Sequence, residues 1–148
     1  MKKHLLACVF VPCITLLATA AEPSLKEARA RWLHGNYDEA REQFETLAKD
    51  AKLRSAATIG LSRALESLGE YDKALEVVET ILKDSSKDAS LLARQAELLY
   101  RRGRWDDAEK SANAAIDIYK EQFLARWVRA QIYRDRGDMK KADAECKW

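Results

Sequence analysis

The chain has 148 residues, with 26 Lys or Arg against 24 Asp or Glu, enough for one modest domain with its own core. Charged residues make up 34% and hydrophobic ones 47%, with only 5 Gly and 2 Pro. That mix excludes disorder and a turn-dense β fold, and it matches soluble helical proteins.

The first 20 residues stand apart. Lys2 and Lys3 precede an apolar run from Leu5 to Ala18, 14 residues long, where a bilayer span needs about 18–20. Ala18-Thr19-Ala20 then offers the small residues a signal peptidase reads. The expectation is a signal peptide over 1–20, cut between Ala20 and Ala21, and an exported chain, periplasmic or secreted, without stable membrane insertion. Leu5-Leu6-Ala7-Cys8 is similar to a lipobox, but almost no apolar stretch precedes Cys8, so a lipoprotein is the weaker expectation.

Two of the 26 basic residues and none of the 24 acidic ones lie in this segment, leaving 24 of each and no net charge. Nucleic acid and an anionic membrane both require concentrated basic surface and are not expected partners. Cys8 and Cys13 leave with the signal, so Cys146 is the one remaining cysteine, read as a small buried hydrophobe, with pairing to another chain as the weaker reading.

Near the start of the mature chain, Ser24 with Glu27 three residues on forms a capping-box pattern. Gly-Asn-Tyr-Asp-Glu-Ala follows from Gly35, and related hexapeptides start at Gly69, Gly103 and Gly137, each 34 residues after the last. Glycine suits the left-handed position that ends one helix before a reversal. The large residue two places on, Tyr37, Tyr71, Trp105 or Met139, reads as a plug packed against the helix pair. Asp38, Asp72 and Asp106 place negative charge at the next helix start; Lys140 breaks that column and predicts a weaker fourth start. Ala40, Ala74, Ala108 and Ala142 let two helices approach closely, as do Ala28, Ser62, Ala96 and Ala130 on the facing helix.

Between these punctuation points, Leu61, Ala64, Leu65 and Leu68 recur at helical spacing. Ala74, Val77, Val78 and Ile81 do the same, followed by Ala108, Ala112, Ala115 and Ile116. Asp84-Ser85-Ser86-Lys87-Asp88 is a polar connector, and no strand signal appears. A two-helix unit cannot bury its own apolar face, so neighbouring units must stack.

The 34-residue period, the Gly-x-aromatic-x-x-Ala core and the upstream small column resemble the tetratricopeptide repeat family, over nearly all of the mature chain. The resemblance implies an all-α fold, a right-handed α-solenoid of about four helix-turn-helix repeats over 21–54, 55–88, 89–122 and 123–148, the last incomplete. It further implies a concave face lined by the first helix of each pair, and a protein or peptide ligand there. Stepping by 34 residues yields three rows: Leu25, Ile59, Ala93 and Trp127; Arg29, Arg63, Glu97 and Gln131; Trp32, Glu66, Tyr100 and Arg134. Arg101 lies beside them. Exposed Trp, Tyr and Arg are what interface hot spots are made of. Family members that grip a C-terminal carboxylate use Lys and Asn where this chain has Leu25 and Arg29, so that ligand is not expected.

No enzyme and no cofactor or metal is expected. His34 is the lone histidine of the mature chain, and there is no metal-binding His or Cys pair, phosphate loop or nucleophile elbow. Two further readings stand beside a peptide- or helix-binding scaffold. The repeats could be the N-terminal region of a longer exported protein, an enzyme such as a peptidase. Alternatively, the chain could self-associate through its C-terminal edge, where Met139, Ala142, Cys146 and Trp148 would be left partly uncovered.

Overall fold

The computed structural model describes residues 24–147, in which eight helices follow one another without a strand. They are α1 (Leu25–Leu33), α2 (Tyr37–Leu47), α3 (Arg54–Ser67), α4 (Tyr71–Asp84), α5 (Ala89–Arg101), α6 (Trp105–Ile118), α7 (Phe123–Asp135) and α8 (Met139–Cys146). The signal-peptide reading, with Cys8 and Cys13, lies outside the described residues.

Each odd helix passes to the next even one through the same local device. Gly35, Gly69, Gly103 and Gly137 take φ values of +82°, +78°, +73° and +81°. Just past each glycine a backbone N–H reaches five residues back, as in Asn36 to the Arg31 carbonyl at 3.0 Å and Arg104 to the Leu99 carbonyl at 3.0 Å. This bond satisfies carbonyls that the helix end would otherwise leave open. A Cβ at any of the four would meet nothing within 4 Å, so backbone handedness, not space, selects glycine there.

The starts of helices use several devices. Ser24 and Glu27 form the reciprocal capping box at α1, and Asp88 caps α5 through Ser90 and Leu91 N–H. Helices α2, α4 and α6 begin without a side-chain cap but carry Asp38, Asp72 and Asp106 in their first turns. The fourth start is not the weak one: Asp138 accepts from Lys141 N–H at 3.1 Å, a cap the other even helices lack. The Lys141 ammonium, with that backbone bond adding to it, holds the Asp138 carboxyl below its usual range.

Odd helices pack on one another in series, α1 on α3, α3 on α5 and α5 on α7, as well as on their even neighbours. Even helices touch only odd ones. The odd layer is therefore the tightly curved inner one, and the even layer fans out behind it. The core lies between the layers and is floored by alanine: Ala28, Ala40, Ala74, Ala96 and Ala108 are all fully buried. Ala142 is 7% exposed, so α7 covers it and the uncovered C-terminal edge is smaller than expected. Met139 and Cys146 are exposed there; the Cys146 thiol is free and not part of the core. Trp148 lies outside the described residues.

The plug reading of the large residue in each turn fails for three of four copies. Tyr71, Trp105 and Met139 are 54%, 37% and 55% exposed, and Tyr37 is half-buried. Each opens an even helix, and a helical side chain leans toward the N-terminus, which carries it over the turn instead of between the layers.

Ala74→Leu is expected to destabilise the chain by about 1–3 kcal/mol, because the leucine has no room at a fully buried helix crossing. Arg63→Ala, on the half-exposed inner surface, should shift the melting temperature little. Thermal unfolding of both variants followed by circular dichroism checks this, and equal small shifts would refute the packing lattice.

Candidate protein-binding groove

The inner surface is built from α1, α3, α5 and α7, whose side chains repeat at 34-residue steps because consecutive repeats share one geometry. Its centre is a charged cluster between α3 and α5. Arg94, 1% exposed, donates Nε to Ser62 Oγ at 2.8 Å, Nη1 to Glu97 Oε2 at 2.6 Å and Nη2 to Glu66 Oε2 at 2.8 Å. Arg101, half exposed, takes the other oxygens, Glu66 Oε1 at 2.9 Å and Glu97 Oε1 at 2.7 Å. Two guanidinium groups thus share two carboxylates, and every carboxylate oxygen is occupied.

Of the residues singled out along the sequence, Arg63, Glu66, Glu97 and Arg101 come together in this cluster. Trp32, from the preceding repeat, lines the same cavity of about 450 Å³. Its Nε1 donates to Ser67 Oγ at 3.0 Å, fixing the indole against α3. Tyr100 and Trp127 form a separate pair further along, edge to face with ring centroids 6.1 Å apart. Tyr100 Oη donates to Asp135 Oδ2 at 2.6 Å, and burial followed by that bond raises the phenol above its usual pKa. Gln131 and Arg134 lie on α7 beyond this pair; Arg134 is exposed, with Nε 3.6 Å from Asp135. Arg29 is exposed on α1.

One candidate contact is corrected. Glu97 is 7% exposed and locked by two arginines, so it organises the groove and is not a free contact. A second acidic residue is buried in the same way. Glu145 is held by Arg126 at 3.2 Å and by a short contact with Arg129.

Sequence reading missed Arg94, the hub. Its neighbour on the lattice is a leucine-rich run, Leu91-Leu92-Ala93, and nothing local marks a buried arginine. Ser62 was legible as small but also accepts from Arg94. Tyr71, assigned to packing, is an exposed wall of the cavity beside Arg101.

A second charge ladder ties successive turns together. Arg102 bonds to Asp72 and to the Tyr71 carbonyl. One repeat on, Arg136 reaches Asp106 at 2.6 Å and Glu109 at 2.5 Å. The Asp column therefore serves the next repeat as well as its own helix start.

This architecture is a stack of helix-turn-helix units with an open inner face, the form of a protein-interaction scaffold. A tetratricopeptide repeat model matches residues 25–89 and 93–145, and the chain belongs to the tetratricopeptide repeat family. Among solved structures it resembles a thermophilic tetratricopeptide repeat protein of Thermus thermophilus, with TM-score 0.72 and 22% identity over 82% of this chain and 68% of that one. MamA of Desulfovibrio magneticus follows with TM-score 0.63 and 17% identity over 82% and 68%. A tetratricopeptide repeat protein of Parabacteroides merdae gives TM-score 0.64 and 18% identity, over 82% of this chain and 48% of that one. These likenesses concern the fold. The comparison with curated proteins returns no match. The matches indicate no catalytic family, and no helix among the described residues is long and apolar enough to cross a membrane.

Proposed function

We propose that the chain is an exported, non-catalytic scaffold that holds a peptide or a single helix on its concave face. The carrying observation is the cavity of about 450 Å³ between Trp32, Tyr71 and the arginine–glutamate cluster. Its floor is rigid, because Arg94 and both carboxylates are fully engaged with one another. Its rim is a half-exposed Arg101 and a Tyr71 that is 54% exposed, the residue types that anchor interfaces. A preorganised floor with aromatic and arginine rims binds with little ordering cost.

Selection of a displayed random peptide library on the full chain tests this reading. Peptides are expected whose affinity falls about tenfold or more in Tyr71→Ala and Arg101→Ala, the usual scale of a hot-spot truncation. Failure to select any peptide, or selection of peptides indifferent to both changes, would overturn it. Export is tested by expressing the chain with its own N-terminus in a bacterial host and reading the mature N-terminus. Ala21 is expected, and an intact N-terminal segment would refute it.

Self-association is a second reading, favoured by the exposed Met139 and Cys146 on α8. Light scattering across a concentration range, with Met139→Asp as comparison, separates it from a monomeric scaffold.

A further inference from the structure

Gly60 is the one glycine of five that lies off the 34-residue lattice. It sits inside α3, where glycine costs about 1 kcal/mol against alanine. A Cβ there would stand 2.3 Å from Phe44 Cε1, so the bare backbone admits the ring edge of α2. Together they border a cavity of about 200 Å³, walled by Leu25, Ile59 and Trp32, with Arg29 and Arg63 beside it.

Those two arginines differ from the rest of the groove. Arg94 and Arg101 consume both oxygens of Glu66 and of Glu97. The side chains of Arg29 and Arg63 make neither a hydrogen bond nor an ion pair among the described residues. Burial, then repulsion from Arg94, loosens the proton on Arg63 despite the opposing attraction of Glu97 and Glu66. The nearby carboxylates Glu66 and Glu97 are bonded to Arg94 and Arg101 instead, so an apolar hole flanked by two cations with no directly paired anion is complementary to an apolar group flanked by carboxylates.

We infer that this cavity takes a leucine- or isoleucine-sized side chain of a partner peptide whose adjacent residues are acidic, their carboxylates meeting Arg29 and Arg63. The inference rests on the concave-face reading and specifies its ligand. A peptide is the occupant because the cavity holds only a few methylenes, too little for a lipid acyl chain, while its open mouth leaves both guanidinium groups free to reach flanking carboxylates.

Fluorescence anisotropy with the full chain and three labelled peptides tests this. Their centres are Glu-Leu-Glu, Gln-Leu-Gln and Glu-Ala-Glu, in identical Gly/Ser flanks. The first is expected to bind about tenfold more tightly than either control, with the gap to the Gln peptide narrowing at high salt. Arg29→Gln with Arg63→Gln should make the Glu and Gln peptides equivalent, and Arg63→Glu should shift preference to Lys-Leu-Lys. Equal affinity for Glu and Gln, or for Leu and Ala, would overturn the inference. So would displacement by laurate with no peptide preference, which points to a lipid, or binding that appears only once residues 1–20 are deleted, which makes the chain's own N-terminal segment the occupant. If Glu-Leu-Glu fails while library-selected peptides still depend on Tyr71, this inference alone falls. If neither binds, the concave-face reading falls with it.

Discussion

Arg94→Met should lower the stability of the chain by about 3 kcal/mol or more, because it strands Glu66 and Glu97 in a site that the arginine neutralised. Arg94 is 1% exposed, and the two carboxylate side chains are 13% and 10% exposed, so water replaces little of the lost interaction. Methionine fills much of the volume, which isolates charge loss from cavity formation. Arg101 bonds to the same two carboxylates but is half exposed, so Arg101→Ala should cost below about 1 kcal/mol. Urea unfolding followed by far-ultraviolet circular dichroism measures both. Equal losses would show that burial does not set the value of this network.

Phe44→Ala should cost about 3–5 kcal/mol, the range for removing an aromatic ring from a core. Phe44 is 4% exposed and is the large side chain that α2 sends against α3. The same contact makes Gly60→Ala unfavourable, since its Cβ falls 2.3 Å from the ring. In a Phe44→Leu background the shorter side chain leaves space, and Gly60→Ala should become neutral or stabilising through helix propensity. A double-mutant cycle by urea unfolding reads the sign change. The absence of coupling would mean that the ring moves freely aside and that Gly60 has another reason to be there.

Members of this family at 17–22% identity share the stacked-helix frame with this chain. The frame is set by turn glycines and buried alanines, whereas ligand choice rests on side chains the frame leaves variable. In this chain those side chains divide into a neutralised floor around Arg94 and a cationic rim at Arg29 and Arg63.

The sequence by itself determined the repeat length, the helix-turn-helix unit and the layer positions of its small residues. Those follow from local requirements: a glycine at positive φ in each turn, and an alanine wherever helices cross closely, recurring every 34 residues. The family resemblance, carried along the 34-residue step, also put Arg63, Glu66 and Glu97 on one face, with Arg101 beside them. Tertiary structure alone decided which of them are partners. The Arg94 contacts reach Ser62 and Glu66, 32 and 28 residues away, and such pairing depends on how α3 and α5 dock. It likewise turned Tyr71, Trp105 and Met139 outward, because a side chain at a helix start leans over the turn, a direction that spacing does not encode. Gly60 shows the same division. As a letter in the sequence it is a weak spot in a helix, and only the ring of Phe44 packed against it supplies the reason.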